Sequence, residues 1–172
     1  MVPEKYDIPY PYQEKTGILG IMETNSDKTV IYTDGGCTGN PGPGGWACVL
    51  LTADGEHHYS GGDASTTNNR MEMTAVITAL KMVKEMNLPL NADIYTDSQY
   101  VKNGLTTWIH GWIRNGWKTA AKKPVKNKEL WIEMKALCDQ FNLSWHWVKG
   151  HSGDQYNELC DQLVEAERMK FA

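Results

Sequence analysis

Thr29-Val30-Ile31-Tyr32-Thr33 is followed at once by Asp34, and then by Gly35-Gly36-Cys37-Thr38-Gly39-Asn40-Pro41-Gly42-Pro43-Gly44-Gly45. The first five residues are β-branched or aromatic and predict a strand over 29–33. The glycine- and proline-rich run predicts a loop over 35–45. Working outward, 46–52 is a second strand, and the turn Ala53-Asp54-Gly55-Glu56 joins it to a third over 57–61. Thr67-Asn68-Asn69 supplies N-cap chemistry for a helix over 70–86, which stops before Leu88-Pro89. A fourth strand covers 92–96. Two short helical stretches follow, at 99–103 and 106–114, then a basic loop at 117–126. A helix over 127–141, a fifth strand over 143–148 and a helix over 155–167 complete the order. Front hairpins imply antiparallel pairing, and the later crossovers imply parallel pairing. The expected fold is α/β of mixed type: one five-stranded mixed sheet with helices on both faces.

The chain has 172 residues, of which 41% are hydrophobic. That suits one domain with a real core. We expect it over 29–172, preceded by an unassigned extension over 1–28. Pro3, Pro9 and Pro11 break helices in that extension, while Tyr6, Tyr10 and Tyr12 give it aromatic surface. No apolar run is long enough to span a membrane, and the best N-terminal one, 17–22, is too short for a secretory signal. Cys37, Cys48, Cys138 and Cys160 form no C-x-x-C pair, so they read as reduced thiols of a cytoplasmic protein. The expectation is a monomer with no membrane partner and no organic cofactor.

The net charge of −4 hides an asymmetry. Between Ser98 and Lys128 there is no acidic residue, while Lys102, Arg114, Lys118, Lys122, Lys123, Lys126 and Lys128 are all positive. The remainder carries −11. One basic segment on an acidic body is the electrostatic footprint of a polyanion partner. The alternative is an ordinary solvated loop, with its tryptophans serving as core.

Asp34 and Asp97 each end a strand. If those strands are parallel neighbours, both carboxylates emerge at one carboxyl edge, where open α/β sheets hold ligands. Glu72 is the more telling residue. At 100° per residue it lies amid Ala75, Val76, Ala79, Val83 and Met86, in the first turn of an amphipathic helix. An ionised carboxylate facing a core costs several kcal/mol, roughly, unless something pairs with it. Three such oxygens suit hard cations, Mg²⁺ with Mn²⁺ as a substitute, better than zinc. Periodicity by itself puts Asp161 on solvated surface, away from Leu159, Leu163 and Ala166.

The residues carry a resemblance. The stretch from Thr33 to Gly45, then Thr67-Asn68-Asn69-Arg70-Met71-Glu72, Tyr95-Thr96-Asp97-Ser98-Gln99, Trp117-Lys118 with Lys122-Lys123-Pro124-Val125-Lys126-Asn127, and Val148-Lys149-Gly150-His151-Ser152-Gly153 with Asn157-Glu158 and Cys160-Asp161 are similar, in order, to the motifs of type 1 ribonuclease H. The resemblance implies an endonuclease that cuts the RNA strand of an RNA–DNA hybrid and leaves 5′-phosphate and 3′-hydroxyl ends. It implies that Asp34, Glu72, Asp97 and Asp161 hold two Mg²⁺ ions, and that His151 assists proton transfer or product departure. Cys37, Asn40, Asn68, Asn69 and Gln99 fall in its substrate-contacting motifs, with Thr67 at a DNA-strand phosphate. Trp108, Trp112, Arg114, Trp117, Lys118, Lys122, Lys123 and Lys126 would form its basic substrate-binding handle.

Other classes fit less well. No Lys-Ser/Thr follows the glycine-rich run, so it is no phosphate-binding P-loop, and there is no G-x-S-x-G elbow. A non-catalytic hybrid-binding module predicts a lost carboxylate. Integrases and junction resolvases of the wider superfamily lack the glycine-rich loop and the handle. The glycine-arginine-glycine pattern of type 2 enzymes is absent.

Overall fold

The computed structural model describes residues 27–149 and 154–171. The element order is β1 (Thr29–Cys37), β2 (Gly42–Thr52), β3 (Gly55–Thr66), α1 (Asn68–Glu85), β4 (Asn91–Thr96), α2 (Gln99–Asn103), one wide π turn (Gly104–Trp108), α3 (Ile109–Arg114), α4 (Lys128–Cys138), β5 (Asn142–Trp147) and α5 (Gln155–Met169). The sheet has the order β3-β2-β1-β4-β5, so the strand that opens the chain lies at its centre. β1–β2 and β2–β3 are antiparallel, while β1–β4 and β4–β5 are parallel.

Strand alternation divides the core in two. Ile31, Cys48, Leu50 and Ile94 face a cluster with Met73, Val76, Leu80 and Val83 of α1 and Trp131 and Met134 of α4. Val30, Tyr32, Ala47, Val49 and Tyr95 face the other way, toward Tyr156, Cys160 and Val164 of α5. Helices therefore cover both faces of the mixed sheet.

Three expectations need correction. The segment 35–45 is largely strand: Gly36 pairs with Gly45 and Cys37 with Gly44, which leaves only residues 38–41 as a turn. The glycines serve packing as well as turning. A Cβ on Gly35 would lie 2.4 Å from the Met71 carbonyl carbon, and one on Gly45 2.6 Å from the Val164 carbonyl oxygen. Each glycine lets a helix backbone rest directly on the sheet. β3 is likewise longer than 57–61, because it pairs with β2 over the whole hairpin. Finally, α1 begins at Asn68, capped by the Thr67 hydroxyl, which accepts from Arg70 N at 3.2 Å. Glu72 is therefore the helix's fifth residue rather than a first-turn one.

The two helical stretches predicted at 99–114 form one continuous path, with the π turn between α2 and α3. All four cysteines are free thiols. Burial pushes Cys48 up to about 12. Cys138 reaches about 12, with burial first and Asp139 adding to it.

Candidate active site and basic handle

Tyr32 of β1 is the parallel partner of Tyr95 on β4. Two residues further along the same register stand Asp34 and Asp97. The pairing thus brings both carboxylates to one edge of the sheet, as the strand-end reading expected. Glu72 joins them from α1, whose backbone rests on Gly35; a Cβ there would lie 2.5 Å from Glu72 N. Oxygens of Asp34, Glu72 and Asp97 all lie within 4.8 Å of one another.

The electrostatics of this trio are unfavourable without a counter-charge. Burial, then the adjacent Asp97, pushes the Asp34 carboxyl up to about 8; the Gly35 N–H partly offsets this, and Asp161 adds to it. Burial, followed by Asp97 and Asp34, holds Glu72 well above the usual carboxylate range. Glu72 is 8% exposed, and its Oε1 is buried with no hydrogen-bond partner among the described residues. A buried acceptor without a donor is costly in a folded protein. A cation satisfies such an oxygen and relieves the repulsion together. The all-oxygen donor set suits a hard divalent ion.

The sequence periodicity misplaced Asp161. The buried face of α5 is Tyr156, Asn157, Cys160 and Val164, while Ala166 is exposed. Leu159 and Leu163 are only half-buried, so the face inferred from them was rotated. Asp161 is half-buried and lines the same cleft as the other three carboxylates. The helix is set by Asp154, whose Oδ1 accepts from Tyr156 N at 2.9 Å and Asn157 N at 3.0 Å. The Tyr32 hydroxyl donates to Asp154 Oδ2 at 3.4 Å.

The cleft measures about 540 Å³ and is also lined by Cys37, Thr38, Asn68, Asn157, Glu165 and Arg168. Sequence reasoning gave no role to the last three. Their signal was spacing: Asn157, Asp161, Val164 and Arg168 are four, three and four residues apart, one stripe of a helix.

At the cleft's mouth, Asn40 Oδ1 accepts from Asn68 N at 2.9 Å and from the Cys37 thiol at 3.5 Å. Asn40 ties the 38–41 turn to the start of α1. Asn69 is half-buried beside them, and Gln99 opens α2 exposed to solvent. Thr67 spends its hydroxyl oxygen on the α1 cap. His151 lies outside the described residues.

The handle is a separate surface. Trp108 packs on Trp112 (ring centroids 5.8 Å apart), Trp112 on Trp117 (6.2 Å), and Trp112 on the core residue Trp131 (5.4 Å). The tryptophans therefore root the handle in the core while Trp108 stays 38% exposed. Trp117 and Lys122 adopt positive φ, 64° and 65°, on either side of a bridge between Lys118 and Pro124. Arg114, Lys118, Lys122, Lys123 and Lys126 are all exposed, and the ion pairs among the described residues involve none of them.

Comparisons with known proteins agree with this architecture. The RNase H family model matches residues 26–169. A Ribonuclease H of Ehrlichia chaffeensis is 55% identical over 146 residues, covering 85% of this chain and 98% of that protein. One from Rhodopseudomonas palustris (strain HaA2) is 57% identical over 149 residues, covering 87% and 91%. Among solved structures, LC9-RNase H1, described as a type 1 RNase H with the type 2 active-site motif, superposes with a TM-score of 0.75 at 28% identity, covering 86% of this chain and 74% of that one. The N-terminal RNase H domain of a Mycobacterium tuberculosis protein gives 0.66 at 27% identity, covering 85% and 96%. The chain belongs to the RNase H family of enzymes, on its type 1 branch.

Proposed function

We propose that this chain hydrolyses phosphodiester bonds in the RNA strand of an RNA–DNA hybrid, using two divalent cations of the Mg²⁺ class and leaving 5′-phosphate and 3′-hydroxyl ends. The observation that carries the reading is the trio Asp34, Glu72 and Asp97, with oxygens within 4.8 Å and one buried oxygen unsatisfied. Asp34, Glu72, Asp97 and Asp161 would hold the ions. When bound, such cations supply Lewis acidity, easing ionisation of the attacking water and offsetting charge on the leaving oxygen. Mn²⁺ has the same oxygen preference and would substitute.

The chain's own residues do the rest. Asn68 lines the cleft, Asn40 accepts a hydrogen bond from its backbone N–H, and Gln99 is exposed two residues past Asp97; their amides would suit the minor groove and 2′-hydroxyls, which separate RNA from DNA. Cys37 and Asn69 shape that same surface, and Thr67 serves a DNA-strand phosphate at the α1 N-terminus. His151 would carry a proton or help product leave. The handle residues Trp108, Trp112, Arg114, Trp117, Lys118, Lys122, Lys123 and Lys126 give sequence-independent, salt-sensitive affinity for the backbone. This activity is placed in residues 29–172, with 1–28 given no part, in a cytoplasmic monomer. A non-catalytic module is disfavoured because all four carboxylates remain.

Product analysis tests the reading. Fragments of an end-labelled hybrid should carry 5′-phosphate and 3′-hydroxyl groups, and EDTA should stop their formation. Cyclic-phosphate or 3′-phosphate ends, or cutting that survives EDTA, would reject the cation-assisted route.

A further inference from the structure

Arg168 stands in the last turn of α5, seven residues beyond Asp161. Seven residues are two turns less about 20°, so both side chains leave the same stripe of the helix, about 10 Å apart along its axis. Close packing of this turn on the sheet fixes its position: a Cβ on Gly45 would lie 3.2 Å from Arg168 N and 2.6 Å from the Val164 carbonyl oxygen. The Arg168 guanidinium donates to the Thr38 hydroxyl, in the β1–β2 turn, and pairs with Glu165 one turn back on its own helix.

Among the described residues that line the cleft, Arg168 is the one basic side chain, opposite Asp34, Glu72, Asp97, Asp161 and Glu165. No handle residue lines this cleft; Lys118 and Lys122 line a separate one. A polyanion approaching five carboxylates is repelled, and a cation on the rim lowers that barrier. A guanidinium is the side chain best shaped for two phosphate oxygens at once. Its present partners are a neutral hydroxyl and an exposed carboxylate at i,i+3, a pairing that contributes little in water. Both can be exchanged for a stronger anion.

We propose that Arg168, with Thr38 beside it, binds a backbone phosphate of the nucleic acid at the edge of the carboxylate cleft, releasing Glu165 as it does so. The proposal rests on the functional reading above. It gives the protein a second phosphate contact, independent of the handle, that holds the strand beside the carboxylates. Arg168 is a binding residue, and Glu165 tunes it by competing with the phosphate.

The test uses the full chain carrying Asp34→Asn, at a fixed Mg²⁺ concentration, so that the cleft is charge-compensated and substrate binds with almost no cutting. Fluorescence anisotropy with a labelled RNA–DNA hybrid is followed from about 25 to 200 mM salt. Adding Arg168→Ala should weaken binding roughly threefold to tenfold and reduce the slope of log K against log salt by about one. Adding Glu165→Gln instead should tighten binding roughly twofold to threefold, and most of that gain should vanish when Arg168→Ala is added as well, whereas simple relief of charge repulsion would persist without Arg168. Should Arg168→Ala fail to fold, Arg168→Gln takes its place in both comparisons. Unchanged affinity and slope in a folded Arg168→Ala protein, or no gain from Glu165→Gln, would overturn the proposal alone. Failure of the Asp34→Asn protein itself to bind hybrid would overturn the functional reading and this proposal together.

Discussion

Asp34 and Glu72 show how one site uses two unfavourable burials. Each would be more stable neutral, yet the reading above needs both ionised. Asp34 sits at about 8 without a counter-ion, against 3.8 for an ordinary aspartate. Its contribution to stability is then fully present below about pH 4 and lost as pH rises through about 8, because the unfolded chain ionises first. Glu72 shifts in the same direction. In EDTA, melting temperature should therefore fall between pH 5 and 8 by several degrees, roughly. Mg²⁺ should restore it more at pH 8 than at pH 5, and Asp34→Asn should flatten the dependence. A metal-free melting temperature that rises over that range would contradict the assignment. Asp93 runs the opposite way. Burial raises it, but His146 at 3.3 Å and Lys28 at 3.3 Å outweigh burial and hold it below its ordinary value. Its stabilisation is present above the ordinary value and is lost as pH falls. Asp93→Asn should accordingly cost stability at pH 7, read by denaturant midpoint, and little below about pH 3.

At the scale of elements, the parallel β1–β4 pair and α1 were legible because strand and helix periods are strong signals. Glu72 stood out because a carboxylate at the centre of an apolar stripe contradicts its surroundings. Asp161 did not stand out, because α5 buries Asn157 and Cys160 while leaving leucines half-exposed, so hydrophobicity pointed to the wrong face. The strand character of residues 42–45, ahead of the strand that 46–52 did reveal, was hidden for a similar reason. Glycine reads as loop, and only the helices seated on Gly35 and Gly45 explain it as packing. Gly35→Ala should then push α1 off β1, at a cost of about 2 kcal/mol in urea unfolding, and reduce cleavage more than Gly55→Ala relative to their stabilities. Gly55 has no atom within 4 Å of its built Cβ, although its φ of +135° strains any side chain. Equal activity losses per unit of lost stability would argue against a link from Gly35 to Glu72. The handle is a third element-scale claim. Replacing Lys122, Lys123 and Lys126 by Ala should weaken hybrid binding and lower the salt slope by about two to three, since each is exposed and outside the observed ion pairs. An unchanged slope would remove the handle from the binding surface.

Across the whole molecule, a net charge of −4 coexists with a basic handle, and the carboxylate cleft lies apart from it. The division has a physical logic: the handle attracts the backbone while the cleft, hostile to anions by itself, awaits cations before a phosphate can enter. That order makes the substrate panel the most direct measurement. The protein is incubated with labelled RNA–DNA hybrid, RNA duplex and DNA duplex, each with Mg²⁺ and with EDTA, alongside Asp34→Asn. The expected result is cutting of the RNA strand of the hybrid alone, only with Mg²⁺, and a near-complete loss in the variant. Equal cutting of all three duplexes, or full activity in Asp34→Asn, would contradict the account.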